Sequence, residues 1–175
     1  MKDLSKIKGK IRDIRNFPKE GIVFKDITPL LADHEACAEA VEGLAEPFQN
    51  NPPDAIAGIE SRGFLFGMLL AMHFGIPFIP VRKSGKLPYE KISHSYSLEY
   101  GEATIEIHTD AVWPGCKVLI HDDLLATGGT AAAAANLIEK LGGVVHGYSF
   151  LIELEFLNGS ENLTSAFKHS LIRVK

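Results

Sequence analysis

The sequence predicts an α/β fold, in which a mostly parallel sheet is flanked by helices. From residue 55 onward, short apolar segments of strand length alternate with longer segments of helical periodicity. Polar residues are rare in these short segments, which is typical of parallel strands that are covered on both faces. The length of 175 residues suits a single domain, 1–175, and no linker, repeat or low-complexity tract divides it.

Composition and charge narrow the class of protein. With 46% hydrophobic and 23% charged residues, the chain is globular rather than disordered or coiled-coil, and its net charge of −4 argues against a protein that coats nucleic acid. The uncharged stretch 63–81 is interrupted by Gly and Pro, so we expect a buried helix and strand and no membrane partner. Cys37 and Cys116 show no metal-ligand spacing and no export signal is visible, which favours a reducing, cytoplasmic setting.

The N-terminal segment is predicted to contain two helices. The first places Leu4, Ile7, Ile11 and Ile14 on one face, and its basic side chains are expected in solvent. The second helix follows Asp33, a residue type favoured at the N-cap, and ends before a group of prolines.

The remaining chain alternates strands and helices. Four apolar segments are predicted strands, at 55–59, 78–81, 117–121 and 144–152. Two segments are predicted helices, at 64–74 with Gly75 in the C-cap position and at 131–141 with two glycines after it. Between the second and third strands lies an insertion, 84–107, with strand-like flanks and several lysines.

The turn after the third predicted strand has the features of an anion site. The segment reads VLIHDDLLATGGT from Val118 to Thr130. A strand-to-helix turn in a parallel sheet lies at the carboxyl edge, where ligands bind. Gly128 and Gly129 allow consecutive N–H groups to point into one concavity, and Thr127 adds a hydroxyl donor. The helix that follows contributes the positive end of its dipole, so we predict a phosphate monoester here.

Two acidic residues before this turn define the ligand further. Asp122 and Asp123 would repel a lone phosphate, so they fit a ligand that also brings hydroxyl groups or a divalent cation. The pattern is not a Walker A loop, which requires Lys after its second Gly. A ribose 5-phosphate fits, with its phosphate in the turn, its hydroxyls on the carboxylates and Mg²⁺ on a further phosphate. The alternative is a solvated acidic pair before an ordinary glycine turn.

This segment resembles the phosphoribosyl-diphosphate motif of the type I phosphoribosyltransferases. Four further motifs resemble the adenine-specific members of that family, and together they cover nearly the whole chain: FPKEGIVFKDITPLL, GIESRGFLFG, VRKSGKLP and SYSLEYG. The resemblance implies the type I fold with a small N-terminal hood for the base, 1–33, and a flexible β-hairpin lid, 83–107. It also implies a homodimer that uses Mg²⁺ to convert adenine and phosphoribosyl diphosphate into AMP and diphosphate in purine salvage.

The resemblance assigns roles to individual positions. The implied phosphoribosyl-binding residues are Asp122, Asp123, Ala126, Thr127, Gly128, Gly129 and Thr130. Diphosphate would be bound by Glu60, Ser61, Arg62, Lys83, Lys86 and Tyr100, with a cis peptide between the first two of these. Adenine would be bound by Val23, Phe24 and Lys25, and the catalytic residues would be Glu99 and Arg62. No direct protein ligand is assigned to Mg²⁺, which would be held mainly by substrate and water.

Two positions depart from the family pattern. Lys25 stands where many relatives have Arg, which replaces a planar bidentate donor by a point charge. His121 replaces the aliphatic residue that is common before the acidic pair, and no catalytic role is assigned to it.

Two alternative functions remain open from the sequence. One is a phosphoribosyltransferase for a 6-oxopurine, although GIVFKDITP favours adenine. The other is a non-catalytic, nucleotide-sensing regulator on the same fold that binds RNA or DNA. Such a regulator would need a basic face, and the net charge outside the first helix is acidic, so no nucleic acid is expected as a partner.

Overall fold

The computed structural model describes residues 4–97 and 101–175. The chain forms two compact units, Met1–Gly43 and Leu44–Lys175. The predicted subdivision at residue 33 and the single-domain organisation stay predictions.

The N-terminal unit combines short helices with a two-stranded ladder. Its elements are α1 (Ser5–Gly9), β1 (Arg12–Arg15), β2 (Val23–Asp26), α2 (Thr28–Leu31) and α3 (His34–Ala45), the last of which contains the boundary. The prediction for α3 is confirmed, because the Asp33 carboxylate accepts a hydrogen bond of 3.1 Å from the backbone N–H of Ala36.

The prediction of the first helix is wrong beyond Gly9. α1 ends at Gly9, and the next residues form β1, which pairs antiparallel with β2. Two ion pairs cross this ladder, Arg12 to Asp26 at 2.7 Å and Lys25 to Asp13 at 2.7 Å. A helix this short gains little from its own hydrogen bonds, so pairing with a distant strand outweighs the helical spacing of the apolar residues.

The second unit is built on a seven-stranded sheet with the order β5-β6-β4-β3-β7-β8-β9. Its strands are β3 (Ala55–Ile59), β4 (Phe78–Lys83), β5 (Lys91–Ser97), β6 (Glu102–His108), β7 (Lys117–Leu125), β8 (Val144–Leu154) and β9 (Phe167–Val174). The pairs formed among β4, β3, β7, β8 and β9 are parallel, whereas β6 is antiparallel to both β4 and β5. The predicted fold class, a mostly parallel sheet flanked by helices, is confirmed.

Two helices of the second unit were predicted, and both are present. They are α4 (Gly63–Phe74) and α5 (Gly129–Lys140), and 3-10 helices form at Glu46–Phe48, Glu155–Leu157 and Gly159–Asn162. Gly75 ends α4 in the left-handed conformation with φ 67°, and its N–H bonds to the Ala71 carbonyl, as the C-cap prediction requires. No helix among residues 4–97 and 101–175 is long and apolar enough to cross a membrane.

The insertion between β4 and β7 contains a β-hairpin. β5 and β6 pair in register from Lys91↔His108 to Ser97↔Glu102, and β6 joins the sheet beside β4. The hairpin prediction is therefore confirmed, and its closing motion stays a prediction.

Strand β9 was not predicted, and β7 is longer than predicted. β9 lies at the sheet edge and contains three consecutive polar residues, Lys168, His169 and Ser170, so it lacks the continuous apolar run that marked the central strands. β7 continues through Leu125 and thus includes both acidic residues, which lie alongside β8.

The start of α4 lies very close to the end of β7, because small residues line this contact. A Cβ on Gly63 would lie 2.9 Å from Oδ1 of Asp122 and 2.9 Å from the carbonyl oxygen of His121. Only glycine allows this approach, which places the loop after β3 beside the carboxyl end of β7.

Candidate active site

The turn from β7 to α5 encloses a cavity of about 70 Å³. Gly128 has φ +81° and precedes the first turn of α5, which begins at Gly129. The cavity is lined by Asp122, Leu124, Leu125, Ala126, Thr127, Gly128, Gly129, Thr130, Ala131 and Phe150. We call this cavity the phosphate cradle, because it brings together all but one of the predicted phosphoribosyl-binding residues at the positive end of a helix.

A segment far along the chain braces the cradle. The Asn162 side-chain amide donates a hydrogen bond of 2.8 Å to the Thr127 carbonyl. A Cβ on Gly128 would clash with the Gly159 carbonyl oxygen, and one on Gly159 would clash with the Ala126 carbonyl oxygen. The two glycines thus let two loops touch through their backbones, which fixes the shape of the cradle.

The two aspartates point in different directions. Both lie in β7, where successive side chains alternate between the faces of the sheet, and only Asp122 lines the cradle. Asp123 is buried, and its Oδ2 lies 3.1 Å from Nε of Arg62. Burial raises the pKa of both carboxyls; the charge of Asp123 raises that of Asp122 further, whereas Arg62 opposes the rise for Asp123.

A larger cleft of about 490 Å³ adjoins the cradle. Its lining consists of Ile59, Glu60, Lys83, Tyr96, Ala103, Thr104, Ile105, Asp122 and Thr130. Asp122 and Thr130 belong to both linings, so the two cavities are neighbours across these side chains. A ligand with two charged groups joined by a polar centre fits this arrangement.

The loop after β3 borders the cleft. The peptide bond between Glu60 and Ser61 is cis, which confirms the expectation drawn from the resemblance. The Glu60 side chain is 6% exposed and accepts hydrogen bonds from Nε of Arg82 at 3.2 Å, the backbone N–H of Lys83 at 3.0 Å and Nζ of Lys86. Burial would raise the pKa of Glu60, but these donors outweigh it and lower the pKa to about 2.

The lysine-bearing loop between β4 and β5, which Glu60 contacts through Lys83 and Lys86, also forms hydrogen bonds and an ion pair with a second buried carboxylate, that of Glu106. Glu106 accepts hydrogen bonds from Ser84 at 3.0 Å and from the backbone N–H of Gly85 at 3.1 Å, and it forms an ion pair with Lys91 at 3.0 Å. Burial opposes ionisation, but Lys91 and the two hydrogen bonds lower the pKa of Glu106 overall. The loop is therefore fixed at both ends.

Among the predicted residues of the second unit, Lys86 and Arg62 line neither cavity. Lys86 contacts Glu60 without lining the cleft, and Arg62 contacts Asp123. Val23, Phe24 and Lys25 belong to β2 in the N-terminal unit, where the Phe24 ring packs edge-on against Phe17 at 5.2 Å. Glu99 and Tyr100 lie outside the described residues.

Sequence reasoning missed several residues of the site. Tyr96 and Arg82 stand inside motifs that were recognised, SYSLEYG and VRKSGKLP, but they received no role. Glu106 and Asn162 carried no signal, because nothing local shows that a distant strand or turn reaches the site.

Three comparisons with known proteins agree on the family. Residues 28–149 match the model of the phosphoribosyl transferase domain. An adenine phosphoribosyltransferase of Cytophaga hutchinsonii is 57% identical over 157 residues, which cover 90% of this chain and 87% of that protein.

Solved structures extend this agreement to the fold. The adenine phosphoribosyltransferase of Thermoanaerobacter pseudethanolicus superposes with a TM-score of 0.96 at 52% identity, over 98% of this chain and 100% of that one. The Saccharomyces cerevisiae adenine phosphoribosyltransferase, complexed with an imino-altritol bisphosphate and adenine, gives 0.91 at 41% identity over 96% and 97%. By sequence and by fold, the chain belongs to the adenine phosphoribosyltransferase family.

Proposed function

We infer that the protein transfers the 5-phosphoribosyl group from phosphoribosyl diphosphate to adenine, giving AMP and diphosphate. Asp122 carries this inference, because its carboxylate lies between an anion cradle and a second, cation-bordered cleft. Phosphoribosyl diphosphate has the matching order of groups, a 5-phosphate, a ribose with vicinal hydroxyls and a diphosphate. The match to adenine phosphoribosyltransferases over most of the chain supports adenine as the base.

We propose that the cradle binds the 5-phosphate through backbone N–H groups of Ala126–Thr130 and the hydroxyls of Thr127 and Thr130. The positive end of α5 favours the anion, and Gly128 keeps the backbone open for it. Asp122 would accept hydrogen bonds from the ribose hydroxyls. Asp123 would hold Arg62 in place, since the two groups already form an ion pair.

The larger cleft would bind the diphosphate. Lys83 and Glu60 border it, and Arg82 and Lys86 neutralise the Glu60 carboxylate, which would otherwise repel the anion. As diphosphate leaves C1, the ribose gains oxocarbenium character and the leaving group gains negative charge. Cations fixed around the leaving group stabilise that charge without having to reorganise.

Magnesium is proposed as the cofactor. No group of three or more His, Cys, Asp or Glu within residues 4–97 and 101–175 could hold a metal alone. The chemistry of the site fits Mg²⁺ that is bound mainly by substrate oxygens and water, with at most one or two carboxylates such as Asp122. When bound, the ion would neutralise negative charge on the diphosphate.

The base and the chemical step are assigned by family resemblance. Phe24 would stack on adenine, and the backbone beside it would contact the amino-pyrimidine edge. Glu99 would hydrogen-bond the far ring nitrogen and redistribute charge as the attacking nitrogen forms its bond to C1. A closed hairpin would keep water from the reactive sugar, and the resemblance assigns Tyr100 a part in sealing the site.

We also propose a homodimer in a reducing compartment such as the cytoplasm. On α4, the exposed apolar residues Leu65, Met68, Leu69 and Met72 recur at helical spacing and form one stripe. A second copy would cover this stripe, because a two-fold axis sets identical apolar surfaces against each other. Cys37 and Cys116 are free thiols, in keeping with a reducing environment.

An assay of base specificity tests the proposed function. The protein is incubated with phosphoribosyl diphosphate, Mg²⁺ and adenine, hypoxanthine, guanine or xanthine in turn, and nucleotide and diphosphate are measured. We expect AMP and diphosphate in equal amounts from adenine. A preference for a 6-oxopurine, or no nucleotide from any base, would contradict the proposal.

A further inference from the structure

We propose that Tyr96 is a positioning residue that couples occupation of the phosphate cradle to docking of the β5–β6 hairpin. This inference rests on the proposed function of the cradle. The Tyr96 hydroxyl lies 2.9 Å from Oγ1 of Thr130, and the two residues are 34 positions apart in the chain. Tyr96 belongs to β5 of the hairpin, whereas Thr130 is the second residue of α5 and lines the cradle.

This contact is the hydroxyl bridge between the hairpin and the cradle. Tyr96 is partly buried against the core of the second unit, and both residues also line the larger cleft. Glu99 follows Tyr96 by three positions in the sequence. A bond at Tyr96 joins β5 of the hairpin to the first turn of α5.

An anion in the cradle would set the direction of this hydrogen bond. Either hydroxyl could be the donor when the pair is considered alone. A phosphate oxygen only accepts, so Thr130 would give it the single hydroxyl proton and keep a lone pair for Tyr96. The result is a series of two hydrogen bonds in which Tyr96 donates to Thr130 and Thr130 donates to the phosphate, so that each bond polarises the next.

The coupling works in both directions. A ligand that strengthens the bond between Tyr96 and Thr130 stabilises the docked hairpin, and a docked hairpin must then strengthen ligand binding by the same factor. Tyr96 would act through Thr130, without touching the phosphate itself.

A double-mutant cycle tests the coupling, with ribose 5-phosphate as the probe. Its dissociation constant is measured by calorimetry for the wild type, Tyr96→Phe, Thr130→Val and the double variant. We expect Tyr96→Phe to weaken binding about 3- to 10-fold, the usual range for one hydrogen bond. The double variant should bind no more weakly than Thr130→Val, because the two losses concern one chain of bonds.

Hydrogen exchange supplies a readout that general destabilisation would not change. Saturating ribose 5-phosphate should slow exchange in residues 91–97 of the wild type but not of Tyr96→Phe. Tyr148→Phe is the matched control, since it deletes another Tyr–Thr hydroxyl pair, Tyr148 to Thr164 at 3.1 Å, and neither residue lines either cavity. This control should keep the wild-type affinity and the wild-type change in exchange.

The outcomes separate the coupling from the function on which it rests. Unchanged affinity in Tyr96→Phe, additive losses in the double variant, or equal exchange protection in Tyr96→Phe would each overturn the coupling. Failure of the wild type to bind ribose 5-phosphate would overturn the proposed function of the cradle, and the coupling with it.

Discussion

At the scale of single residues, two adjacent aspartates have different contacts and different proposed roles. Asp122 and Asp123 are adjacent in β7, yet only Asp122 faces the cavities, and Asp123 is paired with Arg62. The alternation of side chains along a strand separates them. Their order in the sequence identified the pair, but the division of roles depends on β7 extending past both residues.

Replacing Asp122 by Asn tests the ribose assignment. We expect Asp122→Asn to weaken phosphoribosyl diphosphate binding about 10- to 100-fold, because hydrogen bonds to a charged acceptor are lost. Asp123→Asn should weaken it less, since its carboxylate acts through Arg62. Calorimetric titration measures both, with the exposed Asp110→Asn as control. Wild-type affinity in both site variants would refute the assignment.

His121 makes the stability of the protein depend on pH. Burial lowers the pKa of its ring to about 3, although a backbone contact with Ser149 opposes this. An unfolded histidine has a pKa of about 6.5, so the unfolded state binds the extra proton as the pH falls from about 6.5 to 3. The free energy of unfolding therefore decreases as the pH falls through this window. Above the window, the contribution of the neutral His121 ring to the free energy of unfolding is fully present.

We accordingly expect His121→Leu to lose part of this pH dependence. Between pH 7 and 5, the wild type should lose about 2 kcal/mol more of its free energy of unfolding than the variant. Urea unfolding at the two pH values measures the difference. The exposed His34→Leu should behave as the wild type, and equal pH dependence in His121→Leu would show that the ring is not a buried neutral group.

At the scale of elements, the site depends on a turn that another segment supports. The glycine and threonine pattern predicted the turn between β7 and α5. It did not predict the support from Gly159 and Asn162, because that contact joins segments distant in sequence. The N-terminal region shows the same limit, since apolar spacing suggested a helix where pairing between β1 and β2 prevails.

Gly128→Ala tests the support of the cradle. Gly115 has a similar φ of +79°, and a Cβ there would have nothing within 4 Å, so Gly115→Ala isolates the strain of the backbone, about 1–2 kcal/mol. Gly128→Ala adds a clash with Gly159 and should cost about 1–3 kcal/mol more. It should also weaken ribose 5-phosphate binding about 10-fold, whereas Gly115→Ala should not. Equal stability and affinity of the two variants would contradict the role of the contact.

At the scale of the whole molecule, motif order and strand alternation were sufficient to predict the fold class, a mostly parallel sheet flanked by helices. The central strands β3, β4, β7 and β8 are apolar runs and were recognised, as were α4 and α5. β9 was missed because an edge strand with three polar residues in a row, 168–170, resembles a loop in sequence. The Glu106 contacts were missed because they join the hairpin to the loop before it. Predicting them requires the register between β4 and β6, which the sequence does not show.

The proposed homodimer is tested on α4. The Met72 side chain is 71% exposed, and a charge at this position would be buried in a dimer at a high free-energy cost. We expect light scattering to give twice the chain mass of 19.1 kDa for the wild type and a shift towards one chain for Met72→Glu. Tyr89→Glu, at another exposed position, should keep the wild-type mass. A monomeric wild type would refute the dimer.

The most direct measurement is a crystal structure of the protein with phosphoribosyl diphosphate and Mg²⁺. We expect the 5-phosphate within hydrogen-bond distance of Thr127 and Thr130, with ribose hydroxyls on Asp122 and diphosphate beside Lys83. An empty cradle, or a sugar bound away from Asp122 while its carboxylate faces solvent, would contradict this expectation.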